Sequence, residues 1–366
     1  MKINCLKDNL EKSLNIAERF TGKNINLPVL ANVLIEAIGS YIKITATNLE
    51  YAVEIKIQGK IADPGKVSVP AKVINSLIQS IKEEKISLEE KSDNLVIKTE
   101  FKNTKINGNK TDEFPLIPNI KNNNCFKTEA MALKQGLEKV LSSASLSDFK
   151  PEFTGVFFNI SSTELKLTAT DTFRLAEQKI KLSDKPEKGN FSFILPSQVA
   201  QELVRIISYE KEIKIIYGDN QILFESGSFK ITSRLIEGNF PEYENIIPKE
   251  FEITSFINRN ELKDTIKAAS IFSSKLMDIS LDFDKDKLEI ISSNQDVGEY
   301  KNIINIQTSQ NKKLKVDFNY KYLLDGLNSL SDENIFMGCN TENNPSLFHN
   351  KTNDNFLYVL MPIRLN

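Results

Sequence analysis

The chain has 366 residues, of which 40 % are hydrophobic and 26 % charged, which points to a folded globular protein and excludes a disordered one. That length exceeds one ordinary core and suggests two or three domains, while a formal net charge of −2 argues against a simple basic nucleic-acid binder. No apolar run approaches the ~20 residues that span a bilayer and no signal-peptide pattern opens the chain, so a cytoplasmic protein with no membrane partner is expected.

Taken in order, the chain repeats itself. Each third opens with a short apolar strand and an amphipathic helix. The helix carries Leu6, Leu10, Leu14 and Ala17 in the first third. In the second it carries Leu133, Leu137, Val140, Leu141 and Ala144, and in the third Leu262, Ile266 and Ala269. Three strand-like runs follow, at 33–37, 41–46 and 53–57, then at 155–160, 164–169 and 176–180, then at 279–283, 287–292 and 300–306. A second helix comes next, entered through Val69-Pro70-Ala71, Leu195-Pro196-Ser197 and Phe318-Asn319. Its apolar face is expected on Val73, Leu77 and Ile81, on Val199, Leu203 and Ile206, and on Leu323, Leu327 and Leu330. Asn48, Asp171 and Asn294 lie at equal intervals in the polar turns that end the middle strands, so the chain reads as one unit written three times.

Two proline-rich joints, Phe114 to Pro118 and Phe240 to Pro248, follow the first and second units, because proline cannot donate to a ladder. The expected architecture is α+β, with three tandem similar domains at 1–121, 122–249 and 250–366. Each is an antiparallel sheet with two helices on one face. The net charge runs from +3 through −1 to −4 across these thirds.

Catalytic chemistry finds little support. Cys5, Cys125 and Cys339 are widely spaced and suit reduced thiols, and His349 sits in a polar stretch where a solvent-facing side chain is expected. Asp171 and Arg174 form a local pair, with no partner carboxylate, glycine-rich phosphate loop or metal-ligand cluster near them in sequence. No catalytic residue, metal or cofactor is expected. A tandem-domain scaffold that binds peptides but not DNA is the alternative to the reading that follows.

The middle unit carries A-T-D-x-x-R-L-A at 169–176, the second joint F-P-x-Y at 240–243, and the end of the chain M-P-x-R-L at 361–365. With L-P-V-L-A-N at 27–32 and V-P-A at 69–71, the whole chain resembles the bacterial sliding clamp family, the β subunit of DNA polymerase III. The resemblance implies a DNA clamp fold and a DNA polymerase processivity factor: a homodimeric ring around double-stranded DNA, read without sequence preference. A clamp loader, the polymerase III catalytic subunit and other clamp-motif proteins are its implied partners.

It also implies site residues. The partner-peptide pocket would be walled by Phe153, Thr170, Thr172, Arg174 and Leu175, with Pro241 and Ile246 from the joint. The last third would add Asn319, Tyr322 and Pro345, and Val359, Leu360, Met361, Pro362, Ile363, Arg364 and Leu365. Asn245, Phe153 and Asn366 depart from the usual pattern, which implies an altered peptide preference. DNA contacts would come from Lys23, Asn24, Lys72, Lys150 and Arg205, within a sparsely basic lining that includes Lys12, Arg19, Lys134, Lys263, Lys267 and Lys321. From the charge gradient, the dimer interface is expected to set Asp296, Glu299, Ile271 and Phe272 against Lys98, Lys102, Lys105 and Ile106.

Overall fold

A computed structural model describes residues 1–24, 26–118, 120, 124–182, 186, 189–310 and 312–364. Its strands form four antiparallel sheets. The thirds contribute the helix pairs α1 (Lys7–Ala17) and α2 (Ala71–Gln79), α3 (Ala130–Leu141) and α4 (Ser197–Ile206), and α5 (Arg259–Ala269) and α6 (Tyr320–Ser329). No helix among the described residues is long and apolar enough to cross a membrane.

Contacts divide the chain into two compact units. One comprises mainly Met1–Met131 and Arg205–Leu235, the other Ala132–Leu182, Gly189–Val204 and Ile236–Asn366. In the first unit, the edge sheet runs Lys60–Asp63, Lys2–Leu6, Lys85–Lys91, Asn94–Lys98, Asn103–Ile106. Strict alternation builds it: Lys2–Leu6 buries Ile3 and Cys5 and exposes the residues between. The eight-stranded sheet of this unit is shared between repeats. Tyr51–Gln58 from the first third pairs with Phe229–Arg234 from the second, with Phe229 opposite Ile55 and Thr232 opposite Ala52.

The second unit repeats the device. In its nine-stranded sheet Arg174–Lys181 of the middle third pairs with Phe356–Leu360 of the last, with Leu175 opposite Val359 and Glu177 opposite Leu357. A four-stranded sheet ordered Gly298–Asn305, Lys287–Asn294, Asp278–Asp284, Lys313–Asn319 completes it. Three repeats therefore yield four sheets, because the facing edges of consecutive repeats fuse into continuous ladders and leave no edge strand at either junction.

The helix faces fall largely where periodicity put them. Leu10, Leu14, Leu133, Leu137, Val140, Val199, Leu203, Leu262, Ile266, Leu323 and Leu327 are all buried. The α2 face differs. That helix begins at Ala71 and buries Ala71, Ile74, Asn75 and Ile78, which turns Val73 outward, while Ile81 is buried beyond the helix end. Leu6 closes the first strand and is half exposed rather than helical core. Asn319 caps α6 by accepting from the Lys321 and Tyr322 amides at 2.9 and 3.4 Å, and Asn258 caps α5 through the Glu261 amide at 3.0 Å. His349 is not in a solvent loop. It lies in the strand Ser346–Asn350, half-buried, with its ring stacked on Phe336 at 4.2 Å. Cys5 and Cys339 are free and buried, and burial pushes both thiols up to about 12.

Candidate peptide site at the second joint

The site grows from the turn at Thr170 to Arg174. Thr170 Oγ1 donates to the Arg174 carbonyl at 2.7 Å and accepts from the Thr172 amide at 3.2 Å. Asp171 Oδ1 accepts from the Phe173 and Arg174 amides, both at 3.0 Å. These side-chain bonds close the turn and hold Thr172 at a φ of 77°, a left-handed conformation uncommon for a β-branched residue. The first third builds the same turn with Thr47, Asn48 and Leu49, the last at a φ of 79°. The equal spacing of Asn48 and Asp171 thus marks one turn geometry.

Past the turn the two copies diverge. Arg174, whose side chain is only 10 % exposed, donates through Nε to Asp171 at 2.9 Å and through Nη1 to Asp325 at 2.5 Å. Its guanidinium lies 4.2 Å from the centre of the Tyr322 ring, on which Phe173 also stacks. Tyr358, in the neighbouring strand, donates to the Tyr322 carbonyl at 2.7 Å, and burial raises its phenol above its ordinary value. A charged, stacked post therefore fixes one end of the site.

The joint forms the opposite wall. Phe240 stacks flat on Phe157 at 4.6 Å and meets Phe153 and Tyr243 edge-on. Tyr243 descends into an apolar cluster with Leu175, Leu347 and Val359. Its hydroxyl accepts from Thr168 Oγ1 at 3.0 Å and makes a short bond to the Glu177 carboxylate. Burial and the Glu177 charge together hold this phenol well above its ordinary value. Outside, Lys166 pairs with Glu244 at 2.9 Å.

Between turn and joint lies a cavity of about 650 Å³, within the size range of small-ligand and peptide-anchor sites. The structure brings Phe153, Thr170, Thr172, Arg174, Leu175, Pro241, Ile246, Pro345, Val359 and Met361 to its lining. It does not bring the other described candidates there. Asn319 is spent on its cap, Leu360 is fully buried, and Tyr322 reaches the site only through Arg174 and Phe173. Pro362, Ile363 and Arg364 run on past the cavity, with the Ile363 amide donating to Asp317, and Leu365 and Asn366 lie outside the described residues. Sequence reasoning missed Phe173, Tyr243, Ile247 and Pro248, which lie inside or beside the quoted motifs. It also missed Asn340 and Asn344, for which loop composition gave no signal.

Three domain models of one family match the chain end to end: DNA polymerase III beta subunit, N-terminal domain over residues 1–118, central domain over 127–242 and C-terminal domain over 244–364. The chain belongs to the DNA polymerase III beta subunit family. A beta sliding clamp of Synechocystis is 26 % identical over 390 residues, and one of Staphylococcus epidermidis 27 % over 379 residues. Each match covers 100 % of this chain and at least 99 % of the relative. In fold, the chain matches a DnaN sliding clamp of Pseudomonas aeruginosa bound to griselimycin at a TM-score of 0.95 and 24 % identity. It matches the Thermotoga maritima beta subunit at 0.92 and 25 %, with full coverage of both chains in each case.

The remaining site residues lie on exposed elements. Lys72 is on α2, Arg205 on α4, Lys23 and Asn24 follow the first helix, and Lys150 projects 5.2 Å from the Phe153 ring centre. At the edge of the five-stranded sheet, Lys98 pairs with Glu89 at 2.8 Å and Lys105 lies on the outermost strand. Ile106 corrects an expectation: it is buried within its own unit, and the exposed apolar side chain on that edge is Phe101. Ile271 is exposed, Phe272 stacks on Tyr300 at 6.0 Å, and Glu299 pairs with Lys301 at 2.9 Å on the edge strand Gly298–Asn305; Asp296 stands in the turn before it.

Proposed function

We propose that the chain is a DNA polymerase processivity clamp, acting as a homodimeric ring on duplex DNA and tethering polymerases and other proteins by short peptides. The observation that carries the tethering role is the cavity at the second joint, apolar along Leu175, Val359 and Met361 and closed at one end by the fixed Arg174 post. Two apolar anchors of an extended peptide fit such a site, and Met361 repacks to suit differing side chains.

For the ring, Asn103–Ile106 and Gly298–Asn305 are outer strands of their sheets and can pair between copies. Lysines at 98, 102 and 105 face Asp296 and Glu299 in that pairing, and Phe101 with Ile271 and Phe272 supplies its apolar contact. Lys23, Asn24, Lys72, Lys150 and Arg205 are the DNA contacts in this reading. They give weak, sequence-independent and salt-sensitive binding. A clamp loader and the polymerase III catalytic subunit are the natural partners of such a ring.

Retention on DNA tests it. The loaded protein stays on closed circular plasmid and is lost once the plasmid is linearised. Equal retention on both forms, or on neither while peptide binding persists, favours a tandem scaffold.

A further inference from the structure

The first joint has a cavity of its own, and ladder register shows what occupies the same place at the second joint. Thr45 stands opposite Leu34 as Thr168 stands opposite Phe157. Glu54 stands opposite Thr45 and Lys230, as Glu177 stands opposite Thr168 and Leu357. Leu223 pairs with Thr232 as Leu347 pairs with Val359. The threonine, the glutamate and the leucine are thus common to both joints.

The segment crossing them is not. At the second joint F-P-x-Y puts Tyr243 among Leu347, Val359 and Leu357, with its hydroxyl between Thr168 and Glu177. At the first, F-P-x-I puts Ile117 there instead. A cavity of about 270 Å³ results, lined by Leu34, Thr45, Glu54, Ile117, Leu223 and Lys230 among others. Thr45 is only 4 % exposed, and among the described residues its Oγ1 has no hydrogen-bond partner. An orphaned buried hydroxyl is costly and uncommon in native structures. Glu54 is drawn to Lys43, which also holds Glu36, at 3.2 and 2.7 Å.

We propose that the first joint is a binding site for a 4-alkylphenol, either a free phenol or a tyrosine side chain of a partner's peptide. The ring lies against Leu34, Leu223 and Ile117. Its hydroxyl accepts from Thr45 and donates to Glu54, as Tyr243 does with Thr168 and Glu177. Lys43 and Lys230 flank the ring as cations. The site is separate from the peptide cavity and does not depend on its assignment.

The test uses the full-length protein, methyl-labelled at Ile and Leu, titrated with p-cresol, which is the tyrosine side chain alone. Millimolar binding is expected from so small a ligand, read as shifts of the Ile117, Leu34 and Leu223 methyl signals. Toluene, lacking the hydroxyl, binds roughly tenfold more weakly. Ile117→Tyr fills the cavity from within, abolishes the shifts and raises the melting temperature. Thr45→Val, nearly isosteric, keeps the fold and removes most of the preference for p-cresol over toluene. Acetyl-Ala-Tyr-Ala-amide binding where the Phe analogue does not assigns the source to a peptide, whereas p-cresol binding without the peptide assigns it to a free phenol. Absence of p-cresol shifts at these methyls, equal binding of toluene to the unaltered protein, or undiminished p-cresol binding by Ile117→Tyr overturns the proposal.

Discussion

The two joints are one design executed twice, and they differ in a few side chains. Both cross a shared ladder behind a Phe-Pro pair, and both rest on a threonine–glutamate pair one strand apart. At the second joint Tyr243 ties the linker down, while Leu357 and Val359 on the neighbouring strand supply apolar surface. At the first the corresponding neighbours are Lys230 and Thr232, Glu54 and Lys43 form a surface ion cluster, and among the described residues nothing satisfies Thr45. The lesson is that the backbone supplies a groove at each junction and side chains decide its chemistry. The larger cavity lies at the joint whose ladder carries aliphatic residues, Val359 among its lining, and whose linker is hydrogen-bonded in place through Tyr243.

Substitutions at matched positions break this comparison with graded effects. Tyr243→Phe strips the donor from a carboxylate that is almost fully buried, and destabilises by about 2 kcal/mol. Urea denaturation measures it, and Glu177→Gln, which keeps an acceptor, is milder. Thr168→Val loses a satisfied hydrogen bond and costs about 1 kcal/mol, whereas Thr45→Val removes an orphan and leaves stability unchanged or slightly higher. A loss for Thr168→Val with no loss for Thr45→Val in one denaturation series is the sharpest check on the difference between the joints. Leu116→Ser, at a side chain 95 % exposed on the first linker, shifts stability by less than about 0.5 kcal/mol.

Much of this was legible in the sequence. Equal spacing of Asn48 and Asp171 reported a shared turn because its geometry depends on Asx and Thr hydrogen bonds that side-chain type encodes. Helix faces were largely legible from apolar spacing, but α2 slipped although Val69-Pro70-Ala71 marked its entrance, because its first residue, Ala71, sets a phase that moves Val73 outward. The fusion of sheets across repeats was not legible, since a strand's outer partner leaves no trace in its own alternation. The same holds for Asn340 and Asn344, which reach the cavity by tertiary placement, and for Ile106, whose burial depends on what covers its strand.

The central claim, that aliphatic paving at the second joint makes the peptide site, is tested most directly by transplanting the first joint's residues. Isothermal titration of a Gln-Leu-Ser-Leu-Phe peptide against the unaltered protein should give one site per chain, at micromolar affinity or weaker, because so short a ligand offsets only part of its association entropy. The variant Leu357→Lys with Val359→Thr carries the first joint's pair at the second. It should stay folded, remain on circular DNA and bind no peptide. Equal peptide affinity in the folded variant would contradict the account.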